Sequence, residues 1–389
     1  MKICLCITRI KSDLTEAISK NFFKLSEELA KDNEVTVYSP IEIKVPKNTK
    51  LVKYSNNHSY ESKFTVLKNI KKLGNLIDKE KNNYDIIHFH VGFLLEAYLL
   101  SKLIKKSKTP LLITIWQPYL SSKELSKIAH FIIIKPKDYL YHFIMNSFFI
   151  VPFLAREIKK KYNKIIISSN FQKNQLLNFF PENKISKIPN GLEDSTIKKE
   201  VFENRSPNIL YIGHFTSFKG IEPLIHSMSH IVKRYPEAKL TLAYSGYGSK
   251  NRVFELVRNY NLRNNIILKK KIDVYPELSK NDFLIIPYRS SIGTSHYHNV
   301  LLEAMSVGIP VLASNIGSIP EIIKDRETGI LINPKKPKQI AKKVVETFQN
   351  KELLNNISKN QKKLFKESFL LKNITQKHIE LYKRQNGNS

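Results

Sequence analysis

The loop 213–220 (GHFTSFKG) has the residue types that hold an anion. It follows a short apolar run typical of a strand and precedes a helical pattern. Backbone N–H groups at the start of that helix, with the ammonium of Lys219, would point at a negative group bound there. The loop is neither a Walker loop nor a GxGxxG turn. A plain turn with a surface lysine explains it equally well.

A carboxylate within an apolar helix is the second candidate. The run 299–308 (NVLLEAMSVG) predicts a helix from Asn299 that ends at Gly308, and it contains Glu303. A buried, unpaired carboxylate is costly, so we expect Glu303 to have a partner. Two neighbouring ribose hydroxyls can both donate to one carboxylate. Taken alone, a glutamate on the solvated face of the helix is the simpler interpretation.

Four further residues, in three segments of the chain, are weaker candidates for a ligand site. Gly246 in the turn SGYG could let a ligand approach the backbone, and Asn190 in PNGLE lies at the end of a strand, although plain turns explain both. His88 and His90 alternate on the strand DIIHFH and share a face. No third ligand has suitable metal-site spacing, so satisfied core or cleft histidines are favoured. The sequence has no HExxH, zinc-type cysteine pairs or Ser-His-Asp order.

Short apolar strands alternate with amphipathic helices along the whole chain. In the first half the predicted strands are 2–7, 34–38, 85–90, 110–115, 165–168 and 184–188. In the second half they are 208–212, 239–243, 266–268, 283–286, 310–313 and 330–332, followed by helical sequence from 337 to about 382. Repeated β-α-β order with near-continuous apolar strands predicts parallel sheets covered on both faces.

The length of 389 residues suits two domains. The polar stretch 194–207 predicts a linker between a domain of residues 1–193 and a domain of residues 208–365. Residues 366–389 are expected to form a final helix that packs back on the first domain. Two doubly wound domains would bind ligands in the cleft between them, at the carboxyl ends of their strands.

Composition indicates a soluble globular protein, with 42% hydrophobic and 25% charged residues. The formal net charge of +30 is spread along the chain without an RNA-binding type of basic motif, so no nucleic acid partner is expected. An AT-rich genome explains most of the lysine, and an anionic membrane surface is a modest further possibility. The longest apolar run, 131–154, is interrupted by charges and is interpreted as a buried helix. Cys4 and Cys6 share one strand face, which disfavours a disulfide and fits a cytoplasmic protein, peripheral to the membrane at most.

Together these motifs resemble glycosyltransferase family 4, the retaining enzymes of the GT-B fold with two Rossmann-like domains facing a central cleft. The run from Asn299 to Pro334 is similar to the donor signature of the family, and GHFTSFKG resembles its phosphate loop. IPNGLED resembles its Pro-Asn-Gly turn, and YDIIHFH with PLLITI its first-domain strands. The resemblance covers nearly the whole chain.

The resemblance implies a donor site in the second domain and an acceptor site in the first. Lys219 would bind the diphosphate and Glu303 the ribose, while Ser295 and His298 would border the sugar. The remaining donor-side residues would be Gly213, His214, Gly246, Lys271, and the backbone amides of Asn299, Val300 and Leu301. The acceptor-side residues would be His90, Trp116 and Asn190. No metal or other cofactor is expected, because Lys219 and the helix dipole would replace a divalent ion.

The chain departs from the family pattern at four places. Ser295 replaces the first glutamate of the usual pair, His214 replaces an arginine, and Trp116 replaces a histidine. Residues 9–13 (RIKSD) replace a glycine-rich turn after the first strand. Ser295 can donate a hydrogen bond but supplies no negative charge.

These features predict a retaining glycosyltransferase that uses a nucleoside-diphosphate-sugar donor. The acceptor would be a glycan or a lipid-linked sugar in the synthesis of cell-surface polysaccharide, glycolipid or glycoprotein glycans. The departures motivate an alternative, a catalytically weak or silent GT-B subunit that binds nucleotide or glycan. A sugar-nucleotide epimerase is disfavoured, because such an enzyme would place carboxylates where this chain has Ser295.

Overall fold

The computed structural model describes residues 1–10, 17–46, 48–55, 63–117, 150–197, 199, 206–270, 272–290 and 297–387. The chain divides into two compact units, the first formed by Met1–Leu192 with Leu371–Ser389 and the second by Glu193–Leu370. The described residues of the expected linker 194–207 therefore belong to the second unit. The return to the first unit begins at Leu371, five residues later than the sequence predicts.

The first unit contains a seven-stranded parallel sheet in the order β3-β2-β1-β4-β5-β6-β7. Its strands are β1 (Lys2–Ile7), β2 (Glu34–Ser39), β3 (Thr49–Lys53), β4 (Ile86–Val91), β5 (Leu111–Ile115), β6 (Lys164–Ile167) and β7 (Ile185–Lys187). Its described helices are α1 (Ala17–Leu29), α2 (Lys63–Glu80), α3 (Leu94–Leu103), α4 (Val151–Lys161) and α5 (Asn170–Leu176). The strand order reverses between β1 and β4, where doubly wound sheets open a crevice for ligands.

Hydrophobic side chains cover both faces of this sheet. Every residue of β4 is buried, as expected of a central strand with a near-continuous apolar sequence. One of the two clusters includes side chains from the last helix, among them Ile374, Leu381 and Tyr382. The C-terminal helix is therefore part of the core of the first unit.

The second unit contains a six-stranded parallel sheet in the order β10-β9-β8-β11-β12-β13. Its strands are β8 (Asn208–Phe215), β9 (Lys239–Gly248), β10 (Ile266–Lys270), β11 (Phe283–Ile286), β12 (Val311–Ser314) and β13 (Ile330–Ile332). Its helices are α6 (Ile221–Arg234), α7 (Lys250–Asn259), α8 (Val274–Ser279), α9 (Asn299–Val307), α10 (Ile319–Ile322), α11 (Pro337–Gln349) and α12 (Lys351–Ser368), and the chain ends with α13 (Leu371–Asn386) in the first unit. The strand order reverses between β8 and β11.

Several elements differ from the sequence predictions. Strand β9 continues through the SGYG segment, which was predicted to be a turn, because it stays paired with β8 up to Gly248 across an irregularity. The helical stretch predicted from 337 is three helices, and β3 and α2 were not predicted. Most of the run 131–154 lies outside the described residues. At its end, helix α4 buries Val151 and Leu154 but leaves Phe153 62% exposed. No helix within the described ranges is long and apolar enough to cross a membrane.

Candidate functional site

The loop that carries Lys219 lies at the point where the second sheet reverses its strand order. Strand β8 leads into a short 3-10 turn, Ser217–Lys219, and Gly220 then begins α6 with a φ of 71°. A Cβ atom on Gly220 would lie 1.7 Å from the carbonyl oxygen of Pro287, so only glycine fits. The amide of Arg289 donates to the carbonyl of Phe218 at 2.8 Å. These contacts hold the loop against the end of β11.

Lys219 is a buried cation. The residue is 9% exposed, and its Nζ lies 3.9 Å from the centroid of the Tyr288 ring. Burial lowers the pKa of Lys219 to about 7, because removal from water penalises the charged form. Within the described ranges no carboxylate forms an ion pair with Lys219. Among the described residues, therefore, no carboxylate compensates the burial of the Lys219 ammonium.

Helix α9 begins beside the same tyrosine. The rings of Tyr288 and His298 meet edge to face, with centroids 4.8 Å apart, and His298 is the residue that precedes α9. Glu303, on this helix, is 4% exposed, so its carboxylate does not lie on the solvated face. The Leu301 amide already donates to the carbonyl of His298 at 3.0 Å. Lys219 and His298 thus flank Tyr288, next to the N-terminus of a helix.

Of the other predicted donor-side residues, the structure describes some and leaves two outside the described ranges. Tyr211 donates its hydroxyl hydrogen to the carbonyl of His214 at 2.6 Å, which fixes the backbone beside Gly213. Gly246 has a φ of 109° and open space around its Cα, since no other atom lies within 4 Å of a Cβ built there. Ser295 and Lys271 lie outside the described residues.

Tyr275 on α8 is a neighbour of Glu303 that the sequence did not single out. Burial raises the pKa of this phenol above its usual range, and the Glu303 carboxylate adds to the shift. Glu193, Asp194 and Asp273 contribute in the same direction. Loss of the Tyr275 proton is therefore opposed by burial and by four neighbouring carboxylates, one of them Glu303 of α9.

The three predicted acceptor-side residues line a single cavity in the first unit. His90 lies on β4, Trp116 follows β5 and Asn190 follows β7, so all of them lie at or beyond the carboxyl ends of strands. The cavity has a volume of about 40 Å³, and His378 of α13 forms part of its wall. No three His, Cys, Asp or Glu side chains among the described residues are grouped to hold a metal ion.

The Pro-Asn-Gly turn at this cavity is fixed by contact with the last helix. A Cβ atom on Gly191 would lie 2.8 Å from the Cα of Leu371, the first residue of α13. The amide of Leu371 donates to the carbonyl of Leu192 at 2.8 Å. The glycine therefore permits close packing of the turn against α13, which a plain turn would not require.

Besides Tyr275, the sequence analysis missed three residues that build these sites. Tyr288 could have been found, since it follows a strand end by the same rule that selected Lys219. Gln172 holds the chain after β5 by donating to the carbonyls of Ile115 and Trp116 at 3.3 and 3.2 Å. No local sequence pattern indicates Gln172 or His378, because each is far along the chain from the residues that it contacts at the site.

Two protein-family models together match most of the chain. Residues 193–364 match the model of "Glycosyl transferases group 1", and residues 21–196 match that of "Glycosyltransferase Family 4". An uncharacterized 41.2 kDa protein from the cps region of Klebsiella pneumoniae is 28% identical over 65% of this chain. The alignment covers 66% of that relative, so the chain spans just under two thirds of its length.

Solved structures share the architecture at low sequence identity. Sucrose-phosphate synthase from Thermosynechococcus elongatus superposes over 100% of both chains with a TM-score of 0.78 and 17% identity. Anabaena HepE in complex with UDP-glucose covers 99% of this chain and 100% of its own, with a TM-score of 0.73 and 13% identity. The predicted GT-B class, with two parallel-sheet α/β domains, is confirmed.

Proposed function

The chain belongs to the group 1 glycosyltransferases of family 4, and we propose that it is a retaining enzyme that uses a nucleoside-diphosphate-sugar donor. The second unit would bind the donor and the first unit the acceptor, a glycan or a lipid-linked sugar. The HepE complex with UDP-glucose makes uridine diphosphate the first nucleotide to test. A capsular polysaccharide biosynthesis glycosyltransferase of Staphylococcus aureus, 25% identical over 52% of this chain, favours a role in polysaccharide synthesis.

The observation that carries the proposal is the burial of Lys219 without a carboxylate partner among the described residues. A buried ammonium is costly unless an opposite charge approaches it. Its position at the reversal of the strand order, beside the N-terminus of α9, suits an anionic group. A nucleoside diphosphate supplies such a group, and its ribose would reach Glu303 on the same helix.

The proposed reaction replaces one bond to the anomeric carbon by another. The bond from this carbon to the diphosphate oxygen breaks, and the acceptor oxygen forms a new bond on the same face of the sugar. The acceptor proton passes to the leaving diphosphate. Negative charge grows on that diphosphate, where the Lys219 ammonium and the helix N-terminus stabilise it without a divalent cation.

A thermal-shift screen tests donor binding without knowledge of the acceptor. We expect nucleoside diphosphates to raise the melting temperature, because a ligand selective for the folded state adds stability that grows with the logarithm of its concentration above Kd. The corresponding nucleosides, which lack phosphate, should give a much smaller shift. Equal shifts from nucleosides and diphosphates would contradict a diphosphate site at Lys219.

The role of Glu303 can be isolated with matched ligands. We expect Glu303→Gln to weaken uridine diphosphate binding about tenfold, because an amide accepts more weakly than a carboxylate and cannot accept at both positions. Binding of 2′-deoxyuridine diphosphate should change less, since one of the two ribose donors is absent. Calorimetry with both ligands measures the difference. An equal loss for both would remove ribose recognition from Glu303.

Helix α4 supports the further proposal that the first unit meets an anionic membrane surface. Its exposed side includes Phe153, Arg156, Lys159 and Lys160. Glu157 pairs with Lys160 at 3.6 Å, whereas Arg156 and Lys159 form no ion pair within the described ranges. An exposed aromatic ring beside basic side chains is the composition of helices that bind at the lipid interface.

Liposome flotation measures this association. Reversing both charges, Arg156→Glu with Lys159→Glu, should weaken binding to vesicles containing phosphatidylglycerol by about thirtyfold or more, since each basic residue near an anionic surface contributes about 1 kcal/mol. The exposed pair Lys335→Glu with Lys338→Glu in the second unit has the same charge change and serves as the control. Equal losses from both pairs would attribute the effect to net charge alone.

A further inference from the structure

The cavity in the first unit is lined by buried polar atoms that have no partner in the described part of the chain. These atoms are both ring nitrogens of His90, Nδ1 of His378 and the indole Nε1 of Trp116. The three residues are 3%, 5% and 6% exposed, respectively. Buried polar groups in folded proteins are almost always hydrogen-bonded, so a molecule in the cavity is expected to complete them.

The charge state of the side chains that line the cavity restricts what that molecule can be. Burial lowers the pKa of both His90 and His378 to about 3, so both rings are neutral near pH 7. A neutral imidazole offers one donor and one acceptor, and the indole of Trp116 offers one donor. A hydroxyl group both donates and accepts, and therefore matches this set. A phosphate or a carboxylate would lack a compensating charge.

The size of the cavity restricts the ligand further. Its volume of about 40 Å³ exceeds the roughly 10–15 Å³ that a cavity needs, on the same measure, to hold one water molecule. A whole sugar ring does not fit. One hydroxyl or hydroxymethyl group can enter from a ring that remains outside.

Ring contacts and hydrogen bonds hold the wall of the cavity in place. The rings of His88 and His90 lie in a tilted arrangement with centroids 4.2 Å apart, and the ring nitrogens of His88 form hydrogen bonds with the hydroxyls of Tyr382 at 2.6 Å and Thr114 at 2.7 Å. Gln172 fixes the backbone at Trp116. A site held in this way loses little entropy when a ligand binds.

We infer that this cavity is a subsite for one hydroxyl group of a neutral carbohydrate, and that His378 on the last helix is one of the residues that bind it. This inference rests on the proposed function only in naming that carbohydrate as the acceptor. It gives α13 a role in substrate selection, because the helix supplies Leu371, Ile374 and His378 to a wall whose other residues come from α1 and from the carboxyl-terminal ends of β4, β5, β6 and β7.

Histidine ring NMR on the full-length protein tests the inference directly. We expect methyl α-hexopyranosides to shift the ring nitrogen resonances of His90 and His378 in a saturable way, with affinities in the millimolar range. Sodium acetate at equal concentration should not shift them. His378→Phe keeps the ring size but removes both nitrogens, and should weaken the response of His90 about tenfold.

His226→Phe in the second unit is the matched control, since it makes the same histidine-to-phenylalanine change at a residue outside the cavity wall. It should leave the glycoside response of His90 in place. The inference would be overturned if no glycoside shifts the ring nitrogen resonances of His90 and His378, and if these nitrogens show exchange with water only. Uridine diphosphate binding in the same sample reports on the second unit, so a failure of the hydroxyl subsite and a failure of the donor site are distinguishable.

Discussion

Lys219→Met is expected to weaken the binding of uridine diphosphate about a hundredfold while making the unliganded protein more stable. The loss follows from removing a buried positive charge opposite the diphosphate, an interaction of about 2–5 kcal/mol. The gain follows because a buried ammonium without an ion-pair partner among the described residues is replaced by an apolar side chain of similar length. Calorimetry and thermal unfolding measure the two effects, and we expect a rise of about 2 kcal/mol in unfolding free energy.

The affinity for the diphosphate is expected to depend on pH in a direction that the pKa of Lys219 determines. The pKa of Lys219 is about 7 in the unliganded protein, and a bound diphosphate would raise it, because an opposite charge favours the protonated form. Binding should therefore take up a proton above pH 7, with affinity falling about tenfold per pH unit. Below pH 7 the affinity should level off as far as Lys219 is concerned.

The variant supplies the control for this pH effect, since Lys219→Met cannot take up that proton. Its affinity should change little between pH 7 and pH 9. A wild-type affinity that stays flat over this range, or a variant that loses stability and retains affinity, would contradict the role of Lys219 as a diphosphate ligand.

Acid is expected to unfold the first unit in a way that depends on three histidines. Burial is the main cause that lowers the pKa values of His88, His90 and His378 below the ordinary value of 6.5. The unfolded chain therefore binds protons that the folded unit does not, and stability falls as the pH drops below 6.5. At pH 5 the expected loss is about 2 kcal/mol each for His90 and His378, or about 4 kcal/mol together, and His88 adds a loss of the same sign. Such a loss is comparable to the whole stability of many domains.

The chain has one tryptophan, Trp116, which lies in the first unit, so its fluorescence reports the unfolding of that unit. Urea unfolding at pH 7.5 and at pH 5 measures the loss. The double variant His90→Phe with His378→Phe should show a difference smaller than wild type by about 4 kcal/mol, because only His88 of the three buried histidines remains. If the variant retains the full pH dependence, other groups are responsible for it.

The sequence predicted the sheets well because their strands are near-continuous apolar runs. Strand β1 has the predicted bounds Lys2–Ile7, and β11 has the predicted bounds Phe283–Ile286. The strand β3 is half exposed and rich in lysine, so its hydrophobic pattern is too weak to recognise. Strand β9 was predicted to stop early because glycines usually indicate a turn.

The candidate sites were predictable only where a residue lies next to a motif in the sequence. Lys219 and Glu303 were selected from local patterns, and the structure shows that both are buried. Burial itself could not be read from the sequence, because each position also suited a solvated face. The hydrogen bond between His88 and Tyr382 joins residues 294 positions apart, a separation that no local pattern encodes. The contacts of α13 with the first unit are of the same long-range kind, so local sequence patterns could not predict them.

The most direct test of the central claim is a proton NMR time course of donor consumption by the purified protein. With an α-linked uridine-diphosphate-sugar from a donor panel and water as the acceptor, we predict release of the free sugar first as the α-anomer, before mutarotation. Lys219→Met should slow this release by about a hundredfold or more. Binding of nucleotide without consumption of any donor would identify a silent subunit, and early release of the β-anomer would contradict a retaining transferase.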